Sequence, residues 1–324
     1  MMKSINEMFE PINKELIQLS KNLQKMIVAE HPILYAAAEQ LFNAKGKRIR
    51  PAIILLIAEI TKSKKTIINE QRRLAEITEI IHTASLVHDD VIDECETRRG
   101  IETVHNIFNN KIAILAGDFL FAQSSWYLAN LNNLDVVKNI SKVITDFAEG
   151  EVRQGVKYFD TTISIEEYIE KSFYKTASLI ASSSKATTIL NNCCTNTQND
   201  FYIYGKHIGL AFQIIDDILD VISSSNDIGK PSGLDLKNGN LTAPLIFALE
   251  EKPELYKLIN QEFHGNSNIN EAIKIIKNTR AIQKSKDLAE EHVQLATFIL
   301  HKKYPKKDTK HLLNISYYIL NRAN

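Results

Sequence analysis

Residues 70–95 carry apolar side chains at Leu74, Ile77, Ile80, Ile81, Ala84, Leu86, Val87 and Val91, with neither glycine nor proline among them. That spacing predicts one helix of about 25 residues with a wide apolar face. The rest of the chain follows the same habit. Its 324 residues hold 11 glycines and 7 prolines, where average usage would give about 23 and 16. So few chain breakers argue against a many-turned β architecture and against disorder. Periodicity predicts further helices over 5–44, 52–60, 105–130, 134–155, 164–192 and 199–222, and again from Pro244 onward. Residues 223–243 hold three of the glycines and Pro231 and read as a long functional loop. No linker divides the sequence, so the expectation is an all-α chain forming a single domain over 1–324.

Charge and cysteine content remove several function classes. Lysine plus arginine and aspartate plus glutamate each number 39, for a net charge of zero. There is no global basic field for nucleic acid. Cys95, Cys193 and Cys194 form neither a disulfide framework nor a CxxC metal pair. The N-terminal segment has early acids and no unbroken apolar stretch, unlike a signal or transit peptide. The most apolar run, Pro51 to Ile60, is about half a membrane span. The expectation is a soluble protein with no transmembrane segment and no nucleic-acid partner.

Two pentads carry the chemistry: Asp89-Asp90-Val91-Ile92-Asp93 and Asp216-Asp217-Ile218-Leu219-Asp220. In a helix the first and last aspartates of DDxxD stand one turn apart on one face. Paired carboxylate oxygens suit a hard divalent cation such as Mg²⁺. A single such pentad is most often a solvated helix end. Two, each closing an apolar helical segment, predict carboxylates facing one another across a cavity mouth. Mg²⁺ binds few carboxylates together with substrate phosphate, so a di- or triphosphate is the implied ligand. Basic groups lie beside both pentads: Lys45, Lys47, Arg48 and Arg50 around Gly46, then Arg98 and Arg99, Lys175 and Lys230. Arginine forks and lysine point charges are what diphosphate recognition requires.

These segments together resemble the trans-isoprenyl diphosphate synthases, the polyprenyl synthetase family. The matching stretches are Gly46-Lys47-Arg48-Ile49-Arg50-Pro51, His88 through Asp93 with Arg98-Arg99-Gly100, Lys175-Thr176-Ala177, Phe212 through Asp220, and Gly229-Lys230-Pro231 through Asp235. Ala116 through Gln123, Trp126-Tyr127-Leu128 and Gly239-Asn240-Leu241-Thr242-Ala243-Pro244 are most similar to the long-chain (solanesyl) branch of cyanobacteria and plastids. Many members of the wider family carry a lysine where this chain has Asn240.

The resemblance implies a helical bundle around a central cavity, the isoprenoid synthase fold, commonly as a homodimer. It implies head-to-tail condensation of an allylic diphosphate with successive isopentenyl diphosphates. The product would be a long all-trans polyprenyl diphosphate, of solanesyl type, for a prenylquinone side chain such as that of plastoquinone. About three Mg²⁺ ions would sit between the pentads. Asp89, Asp93 and Asp216 would be the principal metal ligands, supported by Asp90, Asp217 and Asp220. Gly46, Lys47, Arg50, His82 and Arg99 would hold isopentenyl diphosphate. Arg98, Lys175, Thr176, Gln213 and Lys230 would face the allylic diphosphate and its cation. Location would be the plastid stroma for an organelle-encoded chain and the cytoplasm for a bacterial one.

Product length is argued from size. Ala84 and Ser85, five and four positions before Asp89, are small and would leave a tail tunnel open, with Trp126 and Tyr127 as candidates for its floor. Four other readings compete. Glu79–His82 and Glu102–His105 both have the ExxH form of di-iron bundles. A shorter-chain (geranylgeranyl) synthase, a non-catalytic subunit of a heteromeric prenyltransferase and a terpene cyclase share parts of the pattern. Two intact pentads argue against the inert subunit, and the basic segment 46–51 argues against the cyclase.

Overall fold

In the computed structural model, residues 5–43, 46–62, 66–98, 100–222, 233–263, 266–305 and 308–323 are described. The architecture is all-α. The N-terminal part comprises α1 (Ile5–Met8), α2 (Asn13–Met26), α3 (Pro32–Asn43) and α4 (Ile49–Thr61). The region expected as one helix over 5–44 is therefore broken. Pro11 sits in a 3-10 turn and Pro32 opens α3. Proline lacks an amide hydrogen and is tolerated only in a first helical turn. The long apolar segment becomes α5 (Asn69–Ile92), with Leu74, Ile77, Ile80, Ile81 and Ala84 fully buried.

After α5 the chain makes a small feature that periodicity did not predict. Thr97–Arg98 (β1) pairs antiparallel with Ile101–Glu102 (β2) around Gly100, whose φ is 75°. Then come α6 (Val104–Ile107), α7 (Asn110–Ala129), α8 (Leu134–Val156) and α9 (Ile165–Ser172). A single π turn, Phe173–Ala177, joins α9 to α10 (Ser178–Leu190). The longest helix is α11 (Thr195–Ile222). Of the expected loop 223–243, residues 223–232 lie outside the described residues. The remainder contains a helical turn, α12 (Leu234–Lys237), and the first residue of α13 (Ala243–Glu251). The chain closes with α14 (Leu255–Asn260), α15 (Asn266–Lys277), α16 (Ala281–Lys303) and α17 (Lys310–Leu320).

One core cluster draws buried side chains from Met8 to Ala323. At its centre α11 packs against α10 on one side and α16 on another. Gly205 and Gly209 make the first contact possible. A Cβ on Gly209 would lie 2.5 Å from the Ala177 Cα, and one on Gly205 would lie 2.7 Å from the Ile180 carbonyl oxygen. Any side chain there would push α11 off the π turn and α10.

The α11–α16 seam holds a histidine pair. His207 Nδ1 and His292 Nδ1 are 2.9 Å apart, so one donates and the other accepts. Burial, His292 and Lys206 together lower the pKa of His207 from 6.5 to about 4. Burial also lowers that of His292, against the pull of Glu291. Below pH 6.5 the unfolded chain takes up protons that the folded pair refuses, so stability is lost as pH falls from there toward 4. Thermal unfolding of His207→Asn should show a shallower acid fall in Tm than the parent protein across that window.

α7 is long and apolar enough to cross a membrane by length and composition alone, the one such helix among the described residues. Its Ala113, Ala116, Gly117 and Leu120 are buried, and the helix packs along α5.

Candidate active site

The polar stripe of α5 follows helical steps: His82, Ser85, Asp89 and Asp93 all line one cavity of about 910 Å³. On α11 the same spacing brings Phe212, Gln213, Asp216, Asp217 and Asp220 to that cavity. Both acidic sets lie in the last turns of their helices, α5 ending at Ile92 and α11 at Ile222. A helix C-terminus already carries partial negative charge. Carboxylates gathered there repel the helix end and one another until cations enter.

Burial pushes the Asp89 carboxyl up to about 7, with Glu151 and Asp93 adding to the rise against Lys175 and Arg98. Asp217 is also pushed well up by burial and by Asp235, although Tyr168 and Gln213 donate hydrogen bonds to its two oxygens at 2.7 Å each. Asp220 accepts from the backbone amides of Leu234 and Asp235, both at 3.3 Å, which ties the end of α11 to the turn that follows. Asp216 lies 2.7 Å from Arg322.

Asp90 departs from the expected ligand set. It is buried, does not line the cavity, and is gripped by Arg98, whose Nε lies 2.7 and 2.9 Å from its two oxygens. Position 90 follows Asp89 by about 100° around the helix, which turns it behind the cavity wall. Its observed role is to hold Arg98, which does line the cavity.

The cations form a ring. Lys175 pairs with Glu151 at 2.6 Å. Burial works against its charge, yet Asp89, Glu151 and Asp93 hold its pKa above the ordinary lysine value. Thr176 donates to the Gln213 side-chain oxygen at 2.6 Å. Across the cavity, Gly46, Lys47, Arg48 and Arg50 line the wall. Lys47 donates to the Tyr318 hydroxyl at 2.7 Å, and Arg50 Nη1 lies 2.9 Å from His82 Nε2. Arg48 adopts a left-handed φ of 51° and pairs with Glu79. Lys45, Arg99 and Lys230 lie outside the described residues.

Several lining residues were missed in sequence. Tyr168 and Lys171 sit seven and four residues before Lys175, so extending its helical face backward would have found them. Tyr318 and Arg322 had no local signal, nor did Glu151, which pairs with Lys175 behind the lining; Asp235 closes the matching segment that starts at Gly229 but was assigned no role. Arg322 stacks over Phe212 at 4.8 Å from the ring centre and Arg50 stacks at 5.6 Å. Helix α4 and the residues after α17 thus meet over one aromatic ring.

Other expectations fall differently. Ser85 lines the cavity, whereas Ala84 is fully buried in the core and does not. Trp126 is 60% exposed on the outside of α7 in the single chain, Tyr127 packs beneath Arg73, and neither lines the cavity. The second ExxH is not helical, since Glu102 belongs to β2 and His105 to α6. Among the described residues no three acidic, histidine or cysteine side chains converge closely enough to hold an ion unaided. An all-oxygen set spread across a cavity instead suits ions completed by substrate phosphate.

A family profile described as polyprenyl synthetase matches residues 31–276. A prenyl transferase of Porphyra purpurea is 57% identical over 323 residues, 100% of this chain and 100% of that one. The chloroplastic solanesyl diphosphate synthase 2 of Arabidopsis thaliana is 48% identical over 296 residues, 90% of this chain and 71% of that one. The crystal structure of a polyprenyl synthase from Caulobacter crescentus CB15, complexed with calcium and isoprenyl diphosphate, superposes with a TM-score of 0.92 at 26% identity. That match covers 100% of this chain and 99% of the other.

Proposed function

The chain belongs to the polyprenyl synthetase family and is a long-chain trans-prenyltransferase, and from that premise we propose how its cavity works. One observation carries the reading: two carboxylate stripes, each at a helix C-terminus, share a cavity with a ring of cations. The whole chain acts as one domain around that cavity, as its continuous core favours.

Asp89, Asp93, Asp216, Asp217 and Asp220 would hold Mg²⁺. Bound there, Mg²⁺ would supply Lewis-acid stabilisation of the departing diphosphate. Lys175 and Arg98 take the phosphoryl oxygens of the allylic substrate, with Lys230 assigned to the same group by its motif. Lys47, Arg50 and His82, beside Gly46, hold isopentenyl diphosphate on the opposite wall, with Arg99 joining them by its motif. When the allylic carbon–oxygen bond breaks, the carbon becomes cationic. The Thr176 hydroxyl donates a hydrogen bond to the Gln213 side-chain oxygen, leaving its own lone pairs free to face that cation. The double bond of isopentenyl diphosphate attacks, a carbon–carbon bond forms, and a proton is lost. Among the described residues no cavity side chain is placed as an obvious base, and the released diphosphate takes that proton.

The product is of solanesyl class and serves a prenylquinone such as plastoquinone, a reading supported by the chloroplastic relative. The protein works in the aqueous phase of a plastid or a bacterial cytoplasm. A second copy covers the outer face of α7 and α8, where Ile114, Leu115, Trp126, Leu134 and Val152 are all exposed.

The test incubates purified protein with Mg²⁺, labelled isopentenyl diphosphate and primers of several lengths, then sizes the products. A ladder ending in a long polyprenyl diphosphate is expected. A cyclised hydrocarbon, a product that stops at geranylgeranyl length, or no incorporation would overturn the reading.

A further inference from the structure

Most cations around the cavity have a carboxylate partner: Lys175 has Glu151, Arg98 has Asp90, Arg48 has Glu79 and Arg322 has Asp216. Lys171 differs. It lines the cavity and is only 8% exposed. Its hydrogen-bond partner is the neutral side-chain oxygen of Asn240. Among the described residues no carboxylate lies within ion-pair distance of it. A buried ammonium without a contacting counter-charge is costly. Such a group is accounted for when an anion that completes its shell binds beside it.

We propose that Lys171 is a diphosphate-binding residue of the allylic site, and that Asn240 holds it in position until the substrate arrives. This rests on the diphosphate reading of the cavity given above. Three further features support it. Lys171 stands four residues before Lys175, and both side chains line the cavity, so one diphosphate can span the two ammonium groups. The nearest acidic groups are already engaged. Asp217 accepts from Tyr168 and Gln213, and Asp235 accepts from the Asn240 amide nitrogen at 2.8 Å. Finally, Asn240 is anchored on both sides. Its backbone amide donates to the Asp235 carbonyl at 2.9 Å, and the Asp235 amide in turn donates to Asp220. The neutral carboxamide thus fixes where Lys171 points without neutralising it. The cationic charge that position 240 does not supply reaches the cavity from α9 instead.

Calorimetric titration of inorganic pyrophosphate in the presence of Mg²⁺ tests this, with isopentenyl diphosphate titrated in parallel. Lys171→Gln should weaken pyrophosphate binding by about 10- to 100-fold, the range for losing a charged hydrogen bond. Isopentenyl diphosphate affinity should stay within about twofold of the parent value. Lys171→Arg, which keeps the charge, should retain most of the pyrophosphate affinity. Lys171→Met keeps the aliphatic stem and carries the same expectation as Gln if the Gln variant does not fold. Parent-like pyrophosphate binding in the neutral variants, or equal weakening of both ligands, would overturn the assignment while leaving the diphosphate reading intact. Failure of the parent protein to bind pyrophosphate would overturn both.

Discussion

Asp89→Asn and Asp216→Asn should each reduce prenyl transfer by roughly a thousandfold, the scale of several kcal/mol of lost transition-state stabilisation by a metal site. The same Asp89→Asn change should leave the metal-free protein at least as stable as the parent at neutral pH. Opposite signs for activity and stability follow from the location of the group. Burial raises the Asp89 carboxyl from 3.8 to about 7, so the folded state retains a proton that the unfolded state releases. Stability is therefore lost as pH rises through that interval. An amide keeps the shape and avoids the charge. Melting curves at pH 5 and pH 7.5, taken with and without Mg²⁺, give the check. The parent should gain more from Mg²⁺ than the variant does, because ligands that bind only the folded state raise its stability. If Asp89→Asn melts well below the parent without metal while prenyl transfer survives, the carboxylate is structural and the metal assignment is wrong.

The helical class and the two acidic stripes were legible because both depend on local spacing. Three- and four-residue steps put His82, Ser85, Asp89 and Asp93 on one face of α5, and the structure keeps them on one cavity wall. What spacing cannot show is which neighbour of a stripe turns inward. Asp90 is part of the same pentad, yet one residue of rotation places it against Arg98. Ala84 and Ser85 differ in the same way. The N-terminal breaks at Pro11 and Pro32 and the β1–β2 hairpin were read poorly for another reason. Single prolines and a two-residue pairing interrupt a periodicity averaged over longer windows. Arg322 and Tyr318 were out of reach altogether, since only tertiary packing brings α17 and the residues after it to Phe212 and Lys47. Lys171 lay between these cases. Its spacing from Lys175 was visible, but its lack of a carboxylate partner was not.

That difference between neighbouring positions decides how product length should respond to mutation. Ser85 sits one turn deeper than Asp89 on the cavity wall and spends its hydroxyl on the His82 carbonyl at 2.9 Å. Ser85→Phe would project a ring into the space that a growing tail must cross, while the acidic and basic groups at the mouth stay in place. The first condensations should proceed and later ones should stop, so the product should shorten by several isoprene units with the initial rate largely kept. Ala84→Phe tests the contrast. Ala84 is fully buried against the core, so a ring there overpacks the α5 surroundings, at about 1–3 kcal/mol. It should lower Tm more than it shortens the product. Sizing the products of both variants beside the parent, with melting curves on the same samples, separates the two effects. A Ser85→Phe enzyme that still made full-length chains would show that the tail leaves the cavity by another route. A strongly shortened product from Ala84→Phe at unchanged Tm would show that the tail runs on the far side of α5.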